Sequence, residues 1–267
     1  MTNRKLRLDL ALVERGLCIS RESAQALIFA GDVRVDGHVV SRPSALVLSS
    51  AQLVVVAPPP YVSRGGFKLA RALHRFQLSV ENLTLVDVGA STGGFTDVLL
   101  QRGAGRVYAV DVGHGQLAWK IRRDPRVVVI ERANIRYLER LPELVDAAVI
   151  DVSFISLTLV LPPVQHLVKP HGWIVALIKP QFEAGRSQVG KGGVVRDASV
   201  HREVLERVLT WALGNGLVLA GCIESPITGP AGNREFLALF QPSTPGVPIA
   251  DAISSCLGET AALASGI

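Results

Sequence analysis

Hydrophobic and polar positions divide the chain into two stretches with different rhythms. In the first, Leu6, Leu8, Leu10, Leu12, Val13 and Leu17 gather around a short helix. Ser20 is placed to cap a second helix over 21–30 that stops at Gly31. Apolar residues then alternate on both sides of Asp36-Gly37, from Val33 to Val40, a spacing that predicts a β-hairpin. A further strand is expected at 53–56. The run Ala57-Pro58-Pro59-Pro60 is stiff and interrupts the pattern, so it predicts a domain boundary.

Beyond it the period of 3.6 appears at 66–76, and from residue 83 strand and helix patterns alternate. Strands are expected at 83–88, 106–110, 127–130, 147–150 and 173–178. Helical spacing falls at 95–102, 117–122, 157–168 and 199–213. Two late strands, 217–223 and 235–240, have no helix between them. Such alternation argues for a doubly wound, mostly parallel sheet closed by an antiparallel hairpin at one edge. Methyltransferase domains end this way, whereas dinucleotide dehydrogenases do not. The expected fold is therefore a Rossmann-like α/β methyltransferase fold with a small N-terminal α/β domain. The expected division is 1–57, a linker at 58–64, a main domain at 65–241 and a tail at 242–267. The tail, with Asp251 and Glu259 and no lysine or arginine, is expected to form a small helix or to fray.

Composition narrows the classes. A chain that is 48% hydrophobic and 19% charged has ample material for a core and is not a disordered one. The net charge is +5, and of 28 basic residues six are lysine, so arginine dominates. Arginine suits phosphate contacts and base stacking, so the excess permits a nucleic-acid partner. Cys18, Cys222 and Cys256 show no metal-ligand spacing, and no metal site is expected. The N-terminal stretch is charged throughout, unlike a signal peptide, and no apolar run is long enough to span a bilayer. A cytoplasmic protein without a membrane anchor is the expectation.

Candidate chemistry begins at Asp87-Val88-Gly89-Ala90-Ser91-Thr92-Gly93-Gly94, where an apolar strand runs into glycines and then Phe95. Glycines let the chain turn sharply and bring its backbone against a ligand. The spacing is not the dinucleotide fingerprint, and the next strand ends in Asp111, an acid placed to accept ribose hydroxyls. Together these predict an adenosyl cofactor without a pyrophosphate, S-adenosylmethionine. Asn134, after the third strand, is read either as an adenine contact or as a cap.

Lys68, Asp151, Lys179 and Glu235 are the polar residues expected around that pocket. Asp151 and Lys179 end apolar strands, at the sheet edge where ligands bind. A ribose hydroxyl is a weak acid and a poor nucleophile. A lysine beside it can take its proton or stabilise the developing alkoxide. The glycine-rich segment 181–197 is long for this fold and is expected to close over cofactor or RNA.

These strings together resemble the TlyA (hemolysin A) family of ribosomal RNA 2′-O-methyltransferases over nearly the whole chain. The resemblance is carried by Ser63-Arg-Gly-Gly-Phe-Lys-Leu69, Val88-Gly-Ala-Ser-Thr-Gly-Gly-Phe-Thr96, Asp111-Val-Gly-His-Gly-Gln-Leu117 and Asp151-Val-Ser-Phe-Ile-Ser156. Lys179-Pro-Gln-Phe-Glu183, Gly192-Gly-Val-Val-Arg-Asp197 and Asn233-Arg-Glu235 complete it. The main domain is also similar to FtsJ-type ribose methyltransferases, although Ser91-Thr92 stands where FtsJ usually has Ala-Pro. The resemblance implies a catalytic group of Lys68, Asp151, Lys179 and Glu235, with Lys179 activating the ribose hydroxyl of a cytidine in ribosomal RNA, free or in ribosomal subunits. Residues 6–56 look like the small RNA-binding domain named after a small-subunit ribosomal protein. It implies phosphate contacts at Arg7, Arg15, Arg21, Arg34 and Arg42, with Arg64 beside the main pocket. The competing readings are a membrane-lytic protein, as the hemolysin name suggests, and an RNA-binding factor without catalysis.

Overall fold

The computed structural model describes residues 4–18, 20–56, 60–242 and 245–258. The linker residues 57–59 and the end of the tail, 259–267, lie outside the described residues. The chain divides into two compact units, Met1–Pro60 and Tyr61–Ile267.

The first unit contains β1 (Lys5–Arg7), α1 (Leu8–Glu14), α2 (Arg21–Ala30), β2 (Val33–Val35), β3 (His38–Val39), β4 (Leu46–Leu48) and β5 (Leu53–Val55). Leu8, Ala11 and Leu12 line one face of α1, Ala24 and Ile28 one face of α2, and these meet Val33 and Val47 in the core. The two helices thus satisfy the 3.6 period. The β2–β3 hairpin turns on Asp36 and Gly37, with φ of 48° and 84°. Two successive left-handed residues are what a two-residue hairpin needs to match strand twist. β2 is the middle strand of the sheet β3-β2-β5. Strands β1 and β4, which pair antiparallel, are not among the expected elements; Leu6, expected around the first helix, lies in β1.

The second unit runs α3 (Gly65–Arg75), β6 (Thr84–Val88), α4 (Gly94–Gln101), β7 (Arg106–Val110), α5 (Trp119–Arg122), β8 (Val127–Ile130) and β9 (Val145–Ile150). It continues with α6 (Leu161–Leu167), β10 (Val168–Ile178), α7 (Pro180–Glu183), α8 (Ala198–Gly214), β11 (Leu219–Glu224), β12 (Phe236–Phe240) and α9 (Ile249–Leu257). The seven strands are ordered β11-β12-β10-β9-β6-β7-β8. All neighbours pair parallel except β12, which runs antiparallel to both β10 and β11. This is the Rossmann-like methyltransferase sheet expected, with its closing hairpin at the edge.

Alternate strand residues feed two separate cores. Val86, Val88, Ile150, Ala176 and Ile178 pack with α6 and α8 on one face. Leu85, Ala147, Val149, Val175 and Leu177 pack with Leu69 and Leu73 of α3 and Val98 and Leu99 of α4 on the other. A strand buried on both faces reads as a continuous apolar run, as β9 and β10 do. The chain order reverses at β6, between β7 and β9, so the carboxyl ends of these strands border the crevice where ligands bind in such sheets. The tail does form a helix: α9 buries Ala252, Ile253 and Cys256 and ends at Gly258, whose φ is 77°. Among the described residues no helix is long and apolar enough to cross a membrane.

Candidate active site

The turn after β6 is shaped by close approach. A Cβ on residue 89 would stand 2.5 Å from the Asp151 carbonyl oxygen, and Gly89 has a φ of 83°. The amides of Gly89 and Ala90 both donate to the Val110 carbonyl, at 2.9 and 3.1 Å, which ties the turn to the end of β7. Gly93, with a φ of 93°, leaves room for Leu117 and Ile121. These contacts explain why glycine stands at both positions.

Two cavities open at this edge. One, about 500 Å³, is lined by Gly89, Ser91, Asp111, Gln116, Asn134 and the 151–155 segment. That volume lies within the range of small-ligand sites. The other, about 250 Å³, is lined by Ser63, Arg64, Lys68, Thr92, Gly94, Phe95, Lys179, Thr228 and Glu235. Gly89, Ser91, Asp151 and Ser153 border both, so the two cavities meet there.

In the larger cavity Asp111 accepts from the Ser91 amide at 2.7 Å and the Gly113 amide at 2.6 Å. Those bonds aim the carboxylate while leaving each oxygen a further lone pair. Asn134 lines the cavity, and its Oδ1 accepts from the Arg136 amide at 3.1 Å as a cap. Asp87 and Gly93, expected among the cofactor contacts, line neither of these two cavities. Asp87 is fully buried, and its Oδ2 accepts from the Thr96 amide and hydroxyl at 2.9 and 2.6 Å. Its Oδ1 has no partner among the described residues. Burial, opposed by the Thr96 bonds and aided by the charges of Asp151 and Asp111, pushes the Asp87 carboxyl up to about 7.

The four polar residues form two pairs. Lys68 Nζ on α3 lies 2.5 Å from Glu235 Oε2, just before β12, and both side chains are buried. Gln181 Nε2 donates to the other Glu235 oxygen at 3.4 Å. Lys179 Nζ, at the end of β10, lies 2.7 Å from Asp151 Oδ1 and donates to Ser153 Oγ at 2.8 Å. Charges at this depth persist only with such partners.

Sequence reasoning missed Ser153, Gln181 and Glu183, although all three lie within strings it had singled out. Glu183 accepts from the Leu157 amide and the Ser156 hydroxyl, both at 2.7 Å. It joins the segment after Lys179 to the segment after Asp151, and burial raises its pKa, with those bonds opposing. Phe154 has a φ of 64° and is 90% exposed at the rim of the larger cavity. Its ring lies 4.8 Å from that of Phe182.

The 181–197 segment is more tethered than a free lid. It contains α7 and a bridge between Gly190 and Val194, and it buries Val194 and Val195. Asn233 clamps it, donating to the Gly193 carbonyl and accepting from the Val195 amide, both at 2.9 Å.

The arginines of the first unit divide by role. Arg7 binds Asp9 through two nitrogens at 3.0 and 2.8 Å, and Arg21 Nε reaches the same carboxylate at 3.0 Å. These partners, Arg7 foremost, hold buried Asp9 well below the usual carboxylate range. Arg15 is turned to structure, donating to the carbonyls of Ala51, Ser49 and Leu48 at 2.6, 2.8 and 3.3 Å. Arg34 and Arg42 are exposed. In the second unit Arg64 lines the smaller cavity and donates to the Thr228 carbonyl at 3.2 Å.

Comparison with known proteins matches residues 61–241 to the FtsJ-like methyltransferase family and residues 6–53 to the S4 domain. The chain is 46% identical over 245 residues to the 16S/23S rRNA (cytidine-2'-O)-methyltransferase TlyA of Mycobacterium tuberculosis, covering 90% of this chain and 91% of that protein. It is 42% identical to Hemolysin A of Brachyspira hyodysenteriae, covering 88% of this chain and 99% of that one. Among solved structures, a candidate hemolysin from Streptococcus thermophilus superimposes with a TM-score of 0.73 at 44% identity, covering 97% of this chain and 96% of that chain.

Proposed function

The chain belongs to the TlyA (hemolysin A) family of ribosomal RNA methyltransferases, and from that membership we propose that it transfers a methyl group from S-adenosylmethionine to the 2′-hydroxyl of a cytidine in ribosomal RNA. The observation that carries this reading is the pair of lysine–carboxylate couples lining the smaller cavity, of which Asp151 also borders the larger one.

The larger cavity fits the cofactor. Asp111 would accept from the ribose hydroxyls, Asn134 would flank the adenine, and Gly89 lets the main chain approach where a Cβ could not stand. Ala90, Ser91, Thr92, Gly94 and Phe95 complete the cradle from the side of the smaller cavity. Bound S-adenosylmethionine supplies a sulfonium-activated methyl group. The smaller cavity takes the target nucleotide, with Lys68, Glu235 and Lys179 in its wall. Lys179 turns a free N–H toward the ribose oxygen and stabilises the charge that develops there. Asp151 beside it is the nearest acceptor for the hydroxyl proton. Lys68 and Glu235, paired in the wall of the smaller cavity, would help fix the position of the bound nucleotide. The exposed ring of Phe154, beside half-buried Phe182, suits an unstacked base.

The S4 domain supplies affinity. Arg7, Arg21, Arg34 and Arg42 would contact phosphates, which gives salt-dependent binding without sequence choice. A ribosomal substrate sets the place of action in the cytoplasm. The test is transfer of labelled methyl from S-adenosylmethionine to ribosomal subunits. Wild-type protein should label RNA, Lys179→Ala should not, and equal labelling by both would remove the assigned mechanism. Leakage of liposomes caused by purified protein would favour the lytic reading instead.

A further inference from the structure

We infer that Ser153 is a positioning residue for the methyl transfer: its hydroxyl fixes the Lys179 ammonium so that one N–H faces the ribose oxygen. The inference rests on the reaction proposed above.

An ammonium has three donors on a flexible four-carbon stem. At Lys179 two are assigned, one to Asp151 Oδ1 at 2.7 Å and one to Ser153 Oγ at 2.8 Å. With only Asp151 as partner, Nζ could swing about that single contact. A second acceptor removes the freedom and gives the third N–H one direction. Ser153 also borders both cavities, so it stands where the methyl group and its acceptor oxygen must meet. The main chain explains how the hydroxyl is held there. Ser153 follows Asp151 by two residues beyond the end of β9, and the next residue, Phe154, turns the chain with its φ of 64°. Lys68 is held differently, by Glu235 in a buried pair. A hydroxyl is therefore specific to the lysine that is assigned to the oxygen.

The hydroxyl accepts from Lys179, so its own proton is directed elsewhere. Alanine deletes the acceptor with little change in volume, whereas threonine retains it. Steady-state kinetics on ribosomal subunits with Ser153→Ala should show kcat lower by about tenfold, the scale of a lost hydrogen bond to a charged group. The KM for S-adenosylmethionine should stay within about twofold, because the contact orients the reacting atoms and does not anchor the cofactor. Ser153→Thr should restore most of the rate. Equal kcat in wild type and Ser153→Ala overturns the inference, as does a Ser153→Thr variant as slow as Ser153→Ala. Digestion of the product to nucleosides separates the two levels of failure. A methylated base made by wild-type protein overturns the proposed reaction. A 2′-O-methyl product formed at equal rates by wild type and Ser153→Ala overturns only the role of Ser153.

Discussion

Removing Lys68 alone should destabilise the catalytic unit, and removing its partner as well should restore it. The two side chains are 8% and 1% exposed, and their charged atoms are 2.5 Å apart. Lys68→Met keeps the length and the apolar stem but strands the Glu235 carboxylate, whose other contact is Gln181 at 3.4 Å. Breaking a buried pair from one side costs about 3–5 kcal/mol, while replacing both members with apolar residues is often neutral or stabilising. For a unit of this size each kcal/mol moves Tm by about 2–4 °C, so the single variant should melt roughly 10 °C lower. Lys68→Met with Glu235→Leu should melt near the wild type and still fail to transfer methyl groups. Calorimetry gives the first quantity and labelled transfer to ribosomal subunits the second. A loss below about 1 kcal/mol in Lys68→Met would refute the burial argument. A double variant that is stable and active would refute the claim that the pair is retained for chemistry.

Four further outcomes follow from the site and the first unit. The folded protein holds the Asp87 proton up to about pH 7, whereas an ordinary aspartate releases it near 3.8. Unfolding between those values releases a proton, so this contribution to stability is full below about pH 4 and lost as pH rises through 7. Asp87→Asn, which keeps an acceptor for Thr96, should flatten that decline in urea titrations, by up to about 4 kcal/mol; an unchanged pH slope would contradict the burial of a proton-binding group. Gly89→Ala should abolish S-adenosylmethionine binding in calorimetric titration, because the new methyl meets the Asp151 carbonyl at 2.5 Å and a left-handed φ opposes it. In the first unit, Arg34→Ala and Arg42→Ala should each lower the slope of log K against log salt by about 0.7–0.9 in RNA binding. Arg15→Ala should instead lower stability, since its guanidinium serves three carbonyls.

How much could be read in advance depended on how local each signal was. The apolar runs of β7 and β8 and the hairpin at Asp36-Gly37 carry their own pattern and form where expected, while β10 contains the expected 173–178 but begins earlier, at Val168. β1 and β4 do not: each has three residues, and they exist because Leu6 lies opposite Val47, a pairing that sequence spacing does not reveal. Asp151 and Lys179 were legible because charge after an apolar strand is conspicuous, whereas Lys68, on a helix, and Glu235, before a strand, drew their roles from the family resemblance. Asp87 looked alike in sequence but points into the protein, since one position of register separates a ligand-facing carboxylate from a buried one. Ser153 and Gln181 escaped notice because an uncharged hydroxyl or amide leaves no periodic signature. Arg15 and Arg42 also looked equivalent, and only their partners divide structural from exposed charge.

The most direct test of the central claim is to identify the methylated nucleoside by mass spectrometry after incubating ribosomal subunits with S-adenosylmethionine and either wild-type protein or Lys179→Ala. The account predicts 2′-O-methylcytidine from the wild type and none above background from the variant. A methylated base, or the same ribose product from both proteins, would contradict it.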